Sequence, residues 1–181
     1  NWYDAFIDET IDFDLLRLII NPTRVNNIVR RNGGKVGLIC SHLGLINVDL
    51  ELATRLAGAS PRQARNNFLR VYSRFKQGLS AIAEGDYDYL LVDCPPNFNI
   101  VTRNAIVASD YYLVPAKPDY LSTLGIDQLN RHVLDLITNY NNYMHQANNP
   151  QWESVSPKML GVLFTMIKIY SGEPISAQKQ Y

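Results

Sequence analysis

Cysteine is scarce in this sequence. Cys40 and Cys94 are too few for a disulfide framework and stand at no C-x-x-C metal spacing, so a reduced, cytoplasmic setting is expected. The three histidines, His42, His132 and His145, are dispersed, without i, i+4 pairing, and no metal centre is expected from them. A surplus of charge is missing as well. Seventeen basic residues balance seventeen acidic ones, so no global field draws the chain to nucleic acid or membrane, and any such binding must be local. No apolar run approaches the roughly twenty residues that span a bilayer, so no transmembrane segment is expected. No internal repeat is present.

The apolar residues, 46% of 181, suffice for the core of one compact domain over 1–181. The chain opens Asn1-Trp2-Tyr3 without an initiator methionine and stops after an apolar strand, so it is expected to be part of a longer protein. Between residues 10 and 31, Ile11, Leu15, Leu18 and Ile19 precede Pro22, and Val25 and Ile28 follow it, which predicts two short helices. Asn32-Gly33-Gly34 turns into an apolar run, 35–40, expected to be a strand. Residues 49–56 are expected to be helical. Ser60-Pro61 is a helix start, and Phe68, Val71, Tyr72, Phe75, Leu79 and Ile82 carry that helix toward a stop at Gly85. Residues 89–92 and 111–114 are apolar runs without polar alternation, the pattern of strands covered on both faces, with a short helix 99–108 between them. A long helix through Leu124, Leu129, Val133, Leu136, Tyr140 and Met144 and a strand over 159–166 complete the order. The asparagine-rich stretch 139–157 reads as a solvated loop that Trp152 could pin. Alternating strand and helix predict an α/β fold with a doubly wound, mostly parallel sheet, ligands lying beyond the carboxyl ends of its strands.

The chemistry is concentrated in Tyr87-Asp88-Tyr89-Leu90-Leu91-Val92-Asp93-Cys94-Pro95-Pro96, where an apolar run delivers an aspartate at its carboxyl end. A buried strand can hold such a carboxylate at the sheet rim, where it positions the water shell of a magnesium ion bound to phosphates. The two prolines forbid continuation of strand or helix and force a defined loop. An aspartate that merely caps a turn after a core strand would look the same.

The continuation decides between these readings. Thr102-Arg103-Asn104-Ala105, Asp110, Pro115-Ala116-Lys117-Pro118, Tyr120 and Gly125-Ile126-Asp127-Gln128-Leu129 follow Asp93-Cys94-Pro95-Pro96 in the order and spacing of the ParA/MinD deviant-Walker ATPases, which this chain resembles. Ser41-His42-Leu43-Gly44-Leu45 with Glu51-Leu52 is similar to the family's third strand and following helix, and 160–166 to a later strand. The resemblance implies a P-loop NTPase-like fold, ATP and Mg2+ as cofactors, and a homodimer switched by slow ATP hydrolysis that positions chromosomes or plasmids. It also implies a ParB-like or other adaptor partner and allows non-specific DNA. Asp93 would hold the magnesium shell through water and serve catalysis. Pro95, Pro96 and Thr102 would report the γ-phosphate, and Pro118, Asp119, Tyr120 and Met166 would lie at the nucleotide rim.

One family motif is absent: no K-G-G-x-G-K-[ST] phosphate loop occurs. Gly33-Gly34-Lys35 leads into an expected strand instead of opening a helix, so it cannot direct backbone N–H groups at phosphate. The family places that loop ahead of every segment matched here, so it is expected upstream of Asn1, and the chain alone is expected to be inactive. With the phosphate-loop strand missing, 89–92 and 111–114 should run parallel across an unfilled slot instead of bonding directly. Asn99, Lys117 and Leu124 depart from the glycine, glutamine and glutamate common in relatives. Arg62, Arg65, Arg70 and Arg74 along one helix read as a solvated face more readily than as a DNA contact. The alternatives are a MinD-like or metallocluster-carrier relative, or a non-catalytic α/β interaction module that has lost its phosphate loop.

Overall fold

The computed structural model describes residues 2–8, 11, 13–42, 44–82, 85–174 and 176–179. Leu43 of the expected third strand, and Thr10 and Asp12 of the expected first helix, lie outside them. The chain divides into two compact units, residues 1–105 and 106–181.

In the first unit, α1 (Trp2–Ile7) is followed by a 3-10 turn at Leu16–Leu18 and by α2 (Thr23–Val29); of the two short helices expected around Pro22 the second forms, while the first is reduced to that turn. α3 (Leu45–Leu56) forms because Leu45, Val48, Leu52 and Leu56 recur at three and four residues, and it buries Val48 and Leu52. α4 (Pro61–Leu79) begins as predicted. The Ser60 hydroxyl accepts the Gln63 N–H at 3.3 Å, Pro61 needs no donor, and the Gln63 side chain reaches back to the Ala59 N–H at 3.1 Å. It ends at Leu79, six residues before the expected stop at Gly85.

Arg74 corrects the sequence reading of α4. It is not on a solvated face but 8% exposed, its Nη2 donating to the carbonyls of Ala5, Asp8 (3.1 Å) and Ile11 (2.8 Å), its guanidinium 5.3 Å from the Phe13 ring centroid. One side chain thereby gathers a carbonyl from the last turn of α1 and two from the segment that follows it. Phe13 meets Phe6 edge to face at 5.3 Å, and it lies so close to Gly78 that a Cβ there would fall 2.5 Å from its ring. Asn26 does a similar task. Fully buried, it donates to the Val36 carbonyl (2.8 Å) and accepts the Val36 N–H (2.7 Å), standing in for a neighbouring strand.

That substitution bears on the expected strand 35–40, which is reduced to a single antiparallel bridge between Ile20 and Leu38. Residues 89–92 form no strand either. Tyr89, Leu90, Leu91 and Val92 are exposed, Leu91 at 94%. Both runs have the composition of strands, but among the described residues the first exchanges backbone hydrogen bonds only at Leu38 with Ile20, and the second pairs with no strand.

α5 (Ile100–Ala108) crosses the boundary between the units. In the second unit β1 (Tyr111–Ala116) pairs in parallel with β2 (Lys158–Phe164), the crossover being α6 (Tyr120–Ala147). This is the expected mixed α/β arrangement with a parallel sheet, and among the described residues β1 is hydrogen-bonded on one edge only. Leu160 is bulged out of register between Tyr112 and Leu113, and Gly161 at φ +142° takes a conformation that side chains rarely adopt. Along β1, Tyr111, Leu113 and Pro115 are exposed while Tyr112, Val114 and Ala116 are partly covered, so the strand is not covered on both faces as its composition suggests. Tyr112 donates its hydroxyl to Asn130 of α6 at 2.9 Å.

The expected loop 139–157 is helical as far as Ala147. Only the remainder is irregular, held by Asn141, whose amide exchanges two 2.9 Å bonds with the backbone of Val155, and by buried Trp152. Beyond β2, β3 (Ile169–Tyr170) and β4 (Glu173–Pro174) form a hairpin, with α7 (Ser176–Lys179) after it. Ser171 and Gly172 both have positive φ, as a type I′ turn requires.

Replacing Arg74 with Met should lower stability by about 3 kcal/mol, because it removes a charged donor from three carbonyls. Gly78→Ala should cost about 1–3 kcal/mol through the clash with Phe13. Urea unfolding checks both, as a lower midpoint at unchanged slope.

Candidate functional site

The predicted site residues fall in both units, and each group is described within its own. Asp93, Pro95, Pro96 and Thr102 belong to the first; Pro118, Asp119, Tyr120 and Met166 belong to the second.

Asp93 follows the exposed run 89–92 directly, and its carboxylate is open to solvent. The Cys94 thiol beside it, on a residue whose surface is otherwise exposed, is held above its ordinary pKa, by partial desolvation first and by the Asp93 charge second. Pro95 and Pro96 are exposed. The chain turns at once, the Asn97 N–H donating to the Pro95 carbonyl at 2.7 Å in a three-residue turn.

The far end of this loop is fastened to the body. Asn99, a position that departs from the family pattern, caps α5: its Oδ1 accepts the Thr102 N–H at 3.0 Å. Asp49 of α3 supplies a second acceptor, its Oδ1 taking the Ile100 N–H at 2.8 Å. Arg103 reaches back to the Phe98 carbonyl (3.1 Å), lies 5.0 Å from the Phe98 ring centroid, and donates to the Tyr72 hydroxyl of α4 at 3.2 Å. Asn104, fully buried, donates to the Ile100 carbonyl and accepts the Phe75 N–H. Thr102 is itself 7% exposed, so unlike Asp93, Pro95 and Pro96 it is not open to solvent, and its hydroxyl has no partner among the described residues. The sequence flagged Asn99 only as a departure. Its place directly ahead of the apolar helical residues Ile100 and Val101 is the cap signal that would have identified it.

In the second unit Pro118 is buried and Tyr120 exposed. Asp119 caps α6, accepting the Ser122 N–H at 2.8 Å. That bond, ahead of all other causes, pulls its pKa below the ordinary aspartate value. The sign follows from linkage: the cap contributes above the unfolded value and is lost as pH falls through the lower folded one. Met166 is exposed and sits at φ +56°, an uncommon conformation for a residue other than glycine, just past the carboxyl end of β2. There a hollow of about 370 Å3 is lined by Pro118, Phe164, Ile167, Pro174 and Gln178 with the Glu173–Lys179 ion pair (3.3 Å). Gln178 accepts the Lys168 N–H at 2.8 Å and so fixes one wall. The sequence reading missed this wall, although Ser171-Gly172 between two short apolar-flanked runs is a hairpin signal.

An Mg-ATP site would need a metal side and a phosphate cradle. Asp93 fits the metal side, an exposed carboxylate able to accept hydrogen bonds from coordinated water. No group of three His, Cys, Asp or Glu among the described residues could hold a metal directly. The phosphates find no cradle in a K-G-G-x-G-K-[ST] loop, and the starts of α4, α5 and α6 are already capped by Ser60, by Asp49 with Asn99, and by Asp119, whereas α3 begins at Gly44 without a side-chain cap. No described helix is long and apolar enough to cross a membrane.

Comparison with known proteins agrees with these motifs. The family model described as an AAA domain matches residues 4–146. The chromosome partitioning protein ParA of Myxococcus xanthus is 36% identical over 93 residues, 51% of this chain and 28% of that protein. The sporulation initiation inhibitor protein Soj of Bacillus subtilis is 28% identical over 127 residues, 70% of this chain and 40% of that protein. An uncharacterized protein of Methanocaldococcus jannaschii is 26% identical over 158 residues, 81% of this chain and 56% of that protein. No solved structure matches. The chain spans less than half the length of the ParA and Soj relatives, but the family match covers most of the chain itself, and the chain belongs to this AAA-domain family of ParA- and Soj-like proteins.

Proposed function

We propose that the complete gene product is a ParA/Soj-like ATPase of the cytoplasm that couples ATP binding and hydrolysis to dimer switching in chromosome or plasmid partitioning. The observation that supports this most is the loop 93–99, which presents Asp93 to solvent at one end and is tied to three helices at the other. In this reading the Asp93 carboxylate orients water bound to magnesium, and the metal supplies charge neutralisation at the phosphates. Pro95 and Pro96 shape the loop that answers to the γ-phosphate, with Thr102 in the helix behind it. Of the rim residues, Pro118 lines the hollow at the strand ends, where α/β sheets take their ligands, Met166 lies just past the end of β2, Tyr120 opens α6 and Asp119 caps it. A homodimer, a ParB-like or other adaptor, and non-specific DNA are the partners this reading implies. Of the four arginines on α4, buried Arg74 is withdrawn from DNA contact, leaving Arg62, Arg65 and Arg70.

The caps on α4, α5 and α6 favour a second reading for the chain in isolation, a non-catalytic interaction module. The two readings separate by experiment. The 181-residue chain should show no micromolar binding of Mg-ATP in calorimetry, since its phosphate side has no cradle; micromolar affinity would mean that another segment provides one. In the complete gene product, Asp93→Ala should cut the hydrolysis rate by about 100-fold or more while nucleotide affinity changes by less than about tenfold. Equal turnover in mutant and parent would remove Asp93 from the site, and a complete gene product without turnover would leave the interaction module standing.

A further inference from the structure

The bond from Asp49 to α5 joins two segments fifty residues apart in sequence, and it meets the helix at its first N–H, the one nearest the loop. An N–H at that position is usually satisfied by water at little cost. Here Ile100 is 7% exposed, so an acceptor has to come from the protein. The capping of Thr102 by Asn99 does not meet this need, because it serves a different N–H and comes from the loop itself. Asp49 comes from α3, whose neighbouring Val48 and Leu52 are packed in the core, so the acceptor is held by a rigid element. A carboxylate makes a stronger bond here than a neutral oxygen would, because it also faces the positive end of the helix.

From this geometry we infer that Asp49 is a positioning residue for the Asp93–Asn99 loop. It fixes where α5 begins, and thereby where the loop returns to the body, without touching the reacting groups. Arg103 and Tyr72 hold Phe98 toward α4, so the last two loop residues are set by contacts to α3 and α4 together. The span from Asp93 to Asn97 has only the Pro95–Asn97 turn to restrain it among the described bonds. Asp49 therefore sets the base from which the proline-bearing span projects. Its catalytic consequence rests on the ATPase reading above, but the structural role does not.

Amide hydrogen exchange on the 181-residue chain tests the structural part. In Asp49→Ala, exchange at Ile100 and at Asn97 to Asn99 should rise by about tenfold relative to Val71 and Tyr72 in α4, the loss expected for one charge-assisted bond. Asp49→Asn keeps an acceptor oxygen and should restore most of the protection; it also serves where the alanine variant does not fold. Exchange that rises equally everywhere, or not at all near Ile100, would overturn the assignment. In the complete gene product, Asp49→Ala should lower kcat with KM for ATP unchanged, and Asp49→Asn should recover kcat. If Asp93→Ala abolishes turnover while Asp49→Ala leaves kcat intact, Asp49 is a helix cap and nothing more. If Asp93→Ala leaves turnover intact, Asp93 is not in the site, and the exchange experiment alone decides the role of Asp49; if the parent itself shows no turnover, the ATPase reading fails while the exchange result still stands.

Discussion

The start of α5 is the constraint on which the first unit is organised. Its first N–H groups emerge from a loop containing two prolines, in surroundings too buried for water to serve them, and each must be answered by a specific oxygen. Asp49 answers one and Asn99 another. Because Asp49 belongs to α3 and the Arg103–Tyr72 contact reaches α4, satisfying one helix end fixes three helices relative to one another. Buried Asn104 extends the same logic one turn further, linking α5 to the backbone of α4 at Phe75. A loop mounted on such a base can change shape without carrying the helices with it.

Elsewhere side chains replace a missing strand neighbour. Asn26 holds Val36, Asn141 holds Val155, and Arg74 gathers three carbonyls near the N-terminal helix. An amide presents a donor and an acceptor at nearly the spacing of a peptide group, so asparagine can imitate one rung of a ladder. The asparagine rungs occur where the backbone is extended but unpaired, which explains how extended segments stay in place although the described residues form only two two-stranded sheets.

The sequence was legible where structure is decided locally. Ser60-Pro61 forecast the start of α4, Pro22 the break before α2, and strand–helix alternation the α/β class with a parallel pair, because each signal acts within a few residues of itself. The runs 35–40 and 89–92 were misread as strands since composition gives propensity only, while a strand exists through a partner distant in sequence. Arg74 was misplaced for a related reason: its role depends on carbonyls more than sixty residues away, which no helical periodicity reveals. Of the candidate site, the Asp93–Pro96 loop was legible as a motif, whereas its mounting on Asp49 was not, because a lone aspartate inside a helix carries no local mark of what it touches. Asp119 was named for the nucleotide rim, and the bond it makes is to Ser122.

The parallel pairing of β1 with β2 also orders events in time. Tyr111 meets Lys158 only after the whole of α6 has turned the chain around, whereas the β3–β4 hairpin closes across Ser171 and Gly172 alone. Hairpins of that kind form in microseconds, and pairings of long sequence separation wait for the loop between them to be shortened. Growth of α6 from its Asp119 cap is what shortens it here. The speed at which the second unit reaches its native state is therefore governed by how early that helix nucleates, and an exposed helix position touching neither strand can delay their meeting.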